Sequence, residues 1–477
     1  MAAMATRRTD RHELADCSAA ELLQLYRTRQ ASPVEAASAV FARIDRHNDS
    51  LQAFCHLDPE QTARAAMASE ARWLQGRPCG PLDGVPVSIK DLVLTQGMPT
   101  LRGSRTVDPG QAWDVDAPAV ARLREAGAVL LGKTRTPEFG CKGETNSPQG
   151  PPARNPWNPA CSPGGSSGGA AAAVVAHIGP IALGTDGAGS VRIPAAFCGC
   201  FGFKPSFGRV PAYPPSPFGT VAHLGPLTLS VADAALAMNV LKQPDARDWT
   251  ALPFDARDYL VGLNDGVRGL RVAYSPTLGY ARHVHPEVAA AVDAAALQFE
   301  QLGAHVEAVD PGFEDPLEIS TGLWFAGAWT LWNGLSPRQQ AVTDPDFRAQ
   351  AERGAQLTTL QVQQLALRRA ELGSHMRQFM AQWDLLLTPA VAVPAFPARP
   401  AGAVPFDAAS MLGWTPFSYP FNLTQQPACS IPCGLTADGL PVGLQIVGPM
   451  FGDAVVLRAA RAYESARPIP RLDNRPA

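Results

Sequence analysis

Residues 164–169 read GGSSGG, and residues 184–192 read GTDGAGSVR. Glycine and serine at this density ordinarily make flexible linkers. Neither stretch has the surroundings of a linker. The first runs into AAAAVVAH (170–177), a helix of small residues, and the second continues IALGT (181–185), a short buried strand. Backbone that passes from strand through glycine-rich turn to helix belongs to an α/β layered structure. Each turn also presents a serine, so the glycines read as the backbone of a site.

The text to either side agrees. Upstream, PLDGVPVSIKD (81–91) is a turn entering a short β-rich run that ends on Lys90. Residues 116–126 read as a helix, AVLLG (128–132) as a buried strand, and 145–165 as a long ordered loop rich in Pro, Asn and Gly. The first 75 residues read as helices, with capping boxes at Ser18-x-x-Glu21 and at Ser32-Pro33-Val34-Glu35, the latter with proline at its first helical position. Beyond 230, VADAALAMNVL, LRVAYS, PEVAAAVDAAALQFEQLG and AHVEAVD keep alternating, and a long helix near 358–381 precedes the strand DLLLTPA. The Pro/Ala-rich 389–405 reads as a loop over the surface. LPVGLQIVG and DAVVLRAARAYE close the chain as strand and helix. With no shift in composition and no internal repeat, residues 1–477 are expected to form a single α/β domain.

Of 477 residues, 46% are hydrophobic and 17% charged, which supports a large core. A net charge of −3 gives no electrostatic case for nucleic acid or an anionic membrane surface. Nine cysteines, an odd number without CxxC, suggest neither a disulfide framework nor a zinc site, and Cys198-Gly-Cys200 reads as small core residues. The opening MAAMATRRTDRHELAD has no apolar signal-peptide core, and the Ala-rich 170–183 is broken by His177 and Gly179-Pro180. A cytoplasmic protein is expected, as monomer or homodimer, with no metal and no cofactor.

GGSSGG satisfies G-x-S-x-G, the nucleophile elbow of α/β-hydrolases, but that elbow needs a strand leading into the serine. Here the approach is NPWNPACSPGG, whose three prolines do not suit a central strand. None of the nine histidines sits in a recognisable motif, and His283-Val-His285 before Pro286 reads as a helix entry. No lysine follows the glycines, so a phosphate loop fails too. A neutral, buried lysine is another base able to activate a serine. Lys90 ends an apolar run. It is either such a base or a lysine just past its strand, reaching solvent.

Three motifs taken together, GVPVSIKD (84–91), NPWNPACSPGGSSGGAAAAV (155–174) and GTDGAGSVRIPAAFCGCFGFKPS (184–206), resemble those of the amidase signature family, serine hydrolases with a Ser–cisSer–Lys triad. The closing FNLTQQPACSIPCGLTADGLPVGLQIVG (421–448) is similar to that family's C-terminal segment. The resemblance covers roughly 20–235 and 380–465, and is loose over 236–380. It implies a central mixed β-sheet covered by helices on both faces: N-terminal helices (1–75), catalytic core (76–235), variable pocket region (236–420) and a strand–helix return (421–477). It implies Lys90 as base, Ser166 as bridging serine after a cis peptide, and Ser190 as nucleophile. The amides of Gly187, Ala188, Gly189 and Ser190 would hold the oxyanion, with Ser167, Thr185, Asp186 and Arg192 in support. Ala188 stands where the family commonly has glycine, and its methyl is expected to narrow the space over the oxyanion.

The resemblance implies hydrolysis of carboxamide C–N bonds through an acyl-enzyme. Phe139, Gly140 and Cys141 are expected at the pocket. The aromatic stretches GLWFAGAWTLWNG (322–334) and MLGWTPFSYPF (411–421) read either as ordinary core or as an apolar pocket for hydrophobic or aryl amides, carbamates or esters. The competing readings are a glutaminase subunit of a tRNA-dependent amidotransferase, an α/β-hydrolase-type esterase, and a non-catalytic binding protein.

Overall fold

In the computed structural model, which describes residues 14–403 and 411–472, helices Ala19–Arg27 and Pro33–Leu51 start at the expected capping boxes. Ser18 and Ser32 accept the amides of Glu21 and Glu35, and both carboxylates reach back to the cap.

Eleven strands follow in chain order: β1 (Phe54–Leu57), β2 (Pro86–Lys90), β3 (Val129–Thr134), β4 (Ile181–Asp186), β5 (Phe201–Lys204), β6 (His223–Thr228), β7 (Arg271–Tyr274), β8 (His305–Ala308), β9 (Leu385–Pro389), β10 (Ala428–Leu435) and β11 (Pro441–Val447). They form one sheet in the order β1-β3-β2-β4-β6-β5-β10-β11-β9-β7-β8. Pairing is parallel among β3, β2 and β4 and among β9, β7 and β8, and antiparallel elsewhere.

Alternation along the strands shows that both faces are covered. Ile181 and Leu183 of β4 pack into a core with Val120, Met238, Val292, Phe299 and Val456, which lie on four different helices. Ala182 between them packs the opposite way, with Ala170, Val174 and Phe197. The helix Gly168–Val175 is all small residues and buried throughout. Small side chains let it lie close against the sheet, so the turn that precedes it is carried deep into the protein.

Two expectations need correction. The first 75 residues are not all helix: β1 pairs with β3 at the sheet edge, and its four residues, one buried, one exposed and two half-buried, offer no alternating pattern to read. Residues 389–405 do not simply cross the surface. Ala390, Val391 and Ala392 are buried; Ala390 donates to the Gly443 carbonyl, and Ala392 donates to Trp414 and accepts from His285. Interior partners thus replace water on that backbone. Residues 404–405 of that stretch, and most of the N-terminal segment read for a signal peptide, lie outside the described residues.

Candidate active site

Lys90 is the last residue of β2, fully buried among hydroxyls. Its Nζ lies 2.7 Å from Ser166 Oγ, 2.8 Å from Ser167 Oγ and 2.8 Å from Thr185 Oγ1. Burial pushes the amine well below the ordinary lysine range, and Asp186 opposes this only in part. The proton assignments follow from the neighbours. Ser167 Oγ donates to the Thr185 carbonyl at 3.1 Å, so toward Lys90 it can only accept. Ser166 has no such competing acceptor among the described residues, which leaves its hydroxyl able to donate to a neutral amine.

The peptide Gly165–Ser166 is cis. The turn is held by Thr145, whose hydroxyl donates to the Gly164 carbonyl (2.7 Å) and accepts from the Gly168 amide (3.0 Å). The two serine-bearing stretches are joined by the Ser167 amide, which donates to the Ser190 carbonyl at 3.1 Å. The serine elbow lacks its strand: Ser166 is approached by irregular chain, and that removes the basis for the α/β-hydrolase reading.

Ser190 follows β4 at the entrance to the helix Arg192–Cys198 and is nearly buried. No hydrogen bond links its hydroxyl to Ser166 in the described structure, but both residues line one cavity of about 150 Å³. Of the four amides expected to face an oxyanion, Gly189 is committed elsewhere. It donates to Asp186 Oδ1 at 2.8 Å. Its φ of 121° is a glycine conformation, and a Cβ there would lie 2.5 Å from Ser418 Oγ. The amides of Gly187, Ala188 and Ser190 have no acceptor among the described residues. Ala188 packs with Leu412 and Tyr419, and it lines a small pocket beside Ser190 with Gly140 and Trp324.

Asp186 and Arg192 form a fully buried two-pronged ion pair, with both contacts at 2.9 Å. Burial alone would raise the Asp186 carboxyl, but the Arg192 charge and its hydrogen bonds hold it well below the usual carboxylate range. Arg192 also reaches Ser418 O (2.9 Å), Gln445 Oε1 (2.7 Å) and Asn422 Oδ1 (2.6 Å), while Ser418 Oγ donates to the Ala188 carbonyl at 2.7 Å. Reading the sequence missed these three residues. The only signal was a polar residue in an apolar run: Asn422 after Phe421, and Gln445 inside VGLQIVG.

The cavity wall differs in part from expectation. Phe139 and Gly140 line it; a Cβ on Gly140 would lie 2.8 Å from Leu92 and 3.2 Å from Ser166 Oγ, so only glycine permits this approach. Cys141 is not on this wall but lines a small adjoining pocket with Gly140, Ser190 and Trp324, and packs with Ala328, Phe347 and Ala351. The stretch 322–334 contributes Trp324 and Leu331, with Trp324 stacked on Phe218 at 3.9 Å. Of the aromatics of 411–421, Phe417, Tyr419 and Phe421 are buried in the core, while Trp414 is half-buried, stacks on Phe197 and lines a separate cavity. The Pro-rich segment 212–218, which the sequence did not single out, completes the wall.

A buried lysine bonded to a serine, near a second serine whose neighbouring amides have no acceptor among the described residues, is an arrangement suited to a serine hydrolase that works without histidine. Residues 35–457 match the Amidase family, and the chain belongs to it. It is 39% identical to an acylamidase of Rhodococcus erythropolis over 467 residues, 96% of this chain and 97% of that one. It is 36% identical to a glutamyl-tRNA(Gln) amidotransferase subunit of Chloroflexus aurantiacus, covering 90% and 92%. Among solved structures it resembles a bacterial aryl acylamidase of the amidase signature family, at TM-score 0.87 and 32% identity, covering 97% and 99%. The protein is therefore an amide hydrolase acting on C–N bonds other than peptide bonds.

Proposed function

We propose that Lys90, Ser166 and Ser190 form a proton relay that hydrolyses hydrophobic or aryl amides through an acyl-enzyme. Neutral Lys90 takes the Ser166 proton, and Ser166 takes that of Ser190 as Ser190 Oγ attacks the carbonyl carbon. The carbonyl oxygen becomes an oxyanion facing the amides of Gly187, Ala188 and Ser190. Each such donor contributes roughly 2.7–4 kcal/mol at the transition state. As the C–N bond breaks, the departing nitrogen takes a proton back through Ser166. Water then enters, gives a proton to the same relay and releases the acid. Carbamates and esters present the same carbonyl to the same serine.

The observation that carries this reading is the setting of Lys90: the amine is desolvated and its Nζ lies 2.7 Å from Ser166 Oγ, a distance at which the hydroxyl can donate to the neutral amine. The apolar cavity wall supports a hydrophobic substrate rather than glutamine. Every group the relay uses lies within this one chain, which supports activity without a partner chain. Asp186 and Arg192 hold the loop in place and do not touch substrate.

A fluorophosphonate probe tests the assignment. One adduct per chain is expected, on Ser190, and none on Ser190→Ala. Adduct on Ser166 or Ser167 would overturn it. Turnover of 4-nitroanilides by the purified chain alone, against L-glutamine as comparison, tests the substrate class; turnover of glutamine in preference to anilides would instead support the amidotransferase reading.

A further inference from the structure

Arg102 lies on the wall of the cavity that holds Ser166 and Ser190, in company with Leu92, Val93, Phe139 and Trp324. Among the described residues its guanidinium makes no hydrogen bond and no ion pair. The other arginine at this site, Arg192, is fully occupied by Asp186, Ser418, Gln445 and Asn422.

The backbone at Arg102 is held where it is. Its φ is 58°, a left-handed conformation that a residue with a Cβ rarely adopts. The Asp91 carboxylate clamps the turn from both sides, accepting Leu101 N at 3.0 Å and Gly103 N at 3.1 Å. The Arg102 carbonyl accepts the amide of Phe139 at 2.8 Å, tying the turn to the cavity wall. Asp91 directly follows Lys90, so the clamp anchors Arg102 to the same strand end as the base. Asp91 attracts the guanidinium from a distance, but its oxygens are engaged by the two amides and it also faces the Lys133 charge. A planar five-donor fork thus stands uncommitted beside an apolar cavity.

We infer that Arg102 recognises a carboxylate on the half of the substrate that fills this cavity, so that preferred substrates are amides with an acid on an otherwise apolar frame. This rests on the reading of Ser190 as nucleophile. A two-pronged guanidinium–carboxylate contact is the natural use of this fork, and partial burial strengthens it. The neutral wall around it would accept the hydrocarbon between acid and amide.

The experiment compares two acids with neutral counterparts of similar size: succinyl 4-nitroanilide against butyryl 4-nitroanilide, and N-acetyl-4-aminobenzoate against 4-methylacetanilide. In Arg102→Leu, the ratio of kcat/KM for acid over neutral should fall about 10- to 100-fold for one pair, chiefly through KM. The pair that responds identifies which half of the amide fills the cavity. Arg102→Lys should recover part of the loss, since it restores charge without the fork. Equal changes for acid and neutral substrates, or none, would overturn the inference. Binding of the two acids to Ser190→Ala and to Ser190→Ala/Arg102→Leu, measured by calorimetry, reads Arg102 without turnover. Weaker acid binding in the double variant supports the role even if the catalytic assignment fails, and equal binding overturns it even if that assignment holds.

Discussion

Two lysines sit on neighbouring parallel strands, both fully buried: Lys90 at the end of β2 and Lys133 in β3, one register position apart. Both are ringed by oxygen. Lys133 donates to the Val93 carbonyl and to the hydroxyls of Thr95 and Thr100, each of these last two at 2.9 Å. A carbonyl can only accept, so this position favours an amine that gives protons. Asp91 lies near, and although burial lowers Lys133 it comes only to about 8. Among the described residues Lys90 bonds only to hydroxyls, and burial likewise holds it well below the ordinary lysine range. Burial weakens both bases' hold on a proton. On the relay proposed above, what separates the two lysines is a neighbour with a proton to offer.

The largest expected effect separates the two lysines directly. Lys90→Met should cut kcat/KM by about 10³-fold or more with the fold retained, whereas Lys133→Met should keep kcat within about tenfold. Steady-state rates on one anilide check both. Similar losses in the two variants would erase the distinction.

The relay can be tested within itself. Ser166→Ala should be as severe as Lys90→Met, and the double variant scarcely worse than the worse single, because either change already interrupts the proton path. Near-additive losses in log kcat/KM would mean two independent roles.

A stability effect comes next. Asp186→Ala leaves Arg192 buried without its counter-ion and frees the amides of Gly189 and Val191, so unfolding by denaturant should show a loss of about 3–5 kcal/mol. A loss below about 1 kcal/mol would mean that Asn422 and Gln445 suffice to hold Arg192.

The smallest effect is a pH slope. Burial places both lysines below their unfolded values, so the unfolded chain binds more protons and folding stability rises with pH. For Lys133 the window runs from about 8 to its ordinary 10.5 and spans on the order of 2–3 kcal/mol. Lys133→Met should flatten the rise of the denaturation midpoint across that window. For Lys90 the same sign acts on catalysis: kcat/KM should rise from neutral into mildly alkaline pH, where the base is unprotonated. Full activity at pH 5 would contradict a lysine base.

What the sequence made legible was local. Glycines and serines packed around a turn, a lysine ending an apolar run and a capping box each carry their meaning within a few residues. Ser166, Ser190 and Lys90 could therefore be singled out as candidates from text alone, and most strands and helices could be placed. What stayed hidden was set by distance along the chain. Asn422 and Gln445 meet Arg192 from 230 and 253 residues away, and nothing near either residue announces that contact. The commitment of Gly189 to Asp186 depends on the orientation of a single peptide plane, which spacing does not encode. The same holds for Arg102, an arginine in a loop until the Asp91 clamp sets it against the cavity. The variable aromatics divided in a way composition could not foretell, Trp324 to the cavity and Phe417 and Tyr419 to the core.

The lock on the Ser190 loop also has a consequence in time. Ser418, Asn422 and Gln445 enter the growing chain long after Ser190, and β10, which pairs with both β5 and β11, enters with them. At roughly 5–20 residues per second, the 230 residues from Arg192 to Asn422 take on the order of 10–50 s to synthesise. Throughout that interval the ribosome carries a chain in which Ser190 exists but Ser418, Asn422 and Gln445, the partners of Arg192 and Ala188, do not. A nascent chain stalled short of residue 418 should therefore fail to take a phosphonate label, and reactivity should appear only as the C-terminal strands emerge.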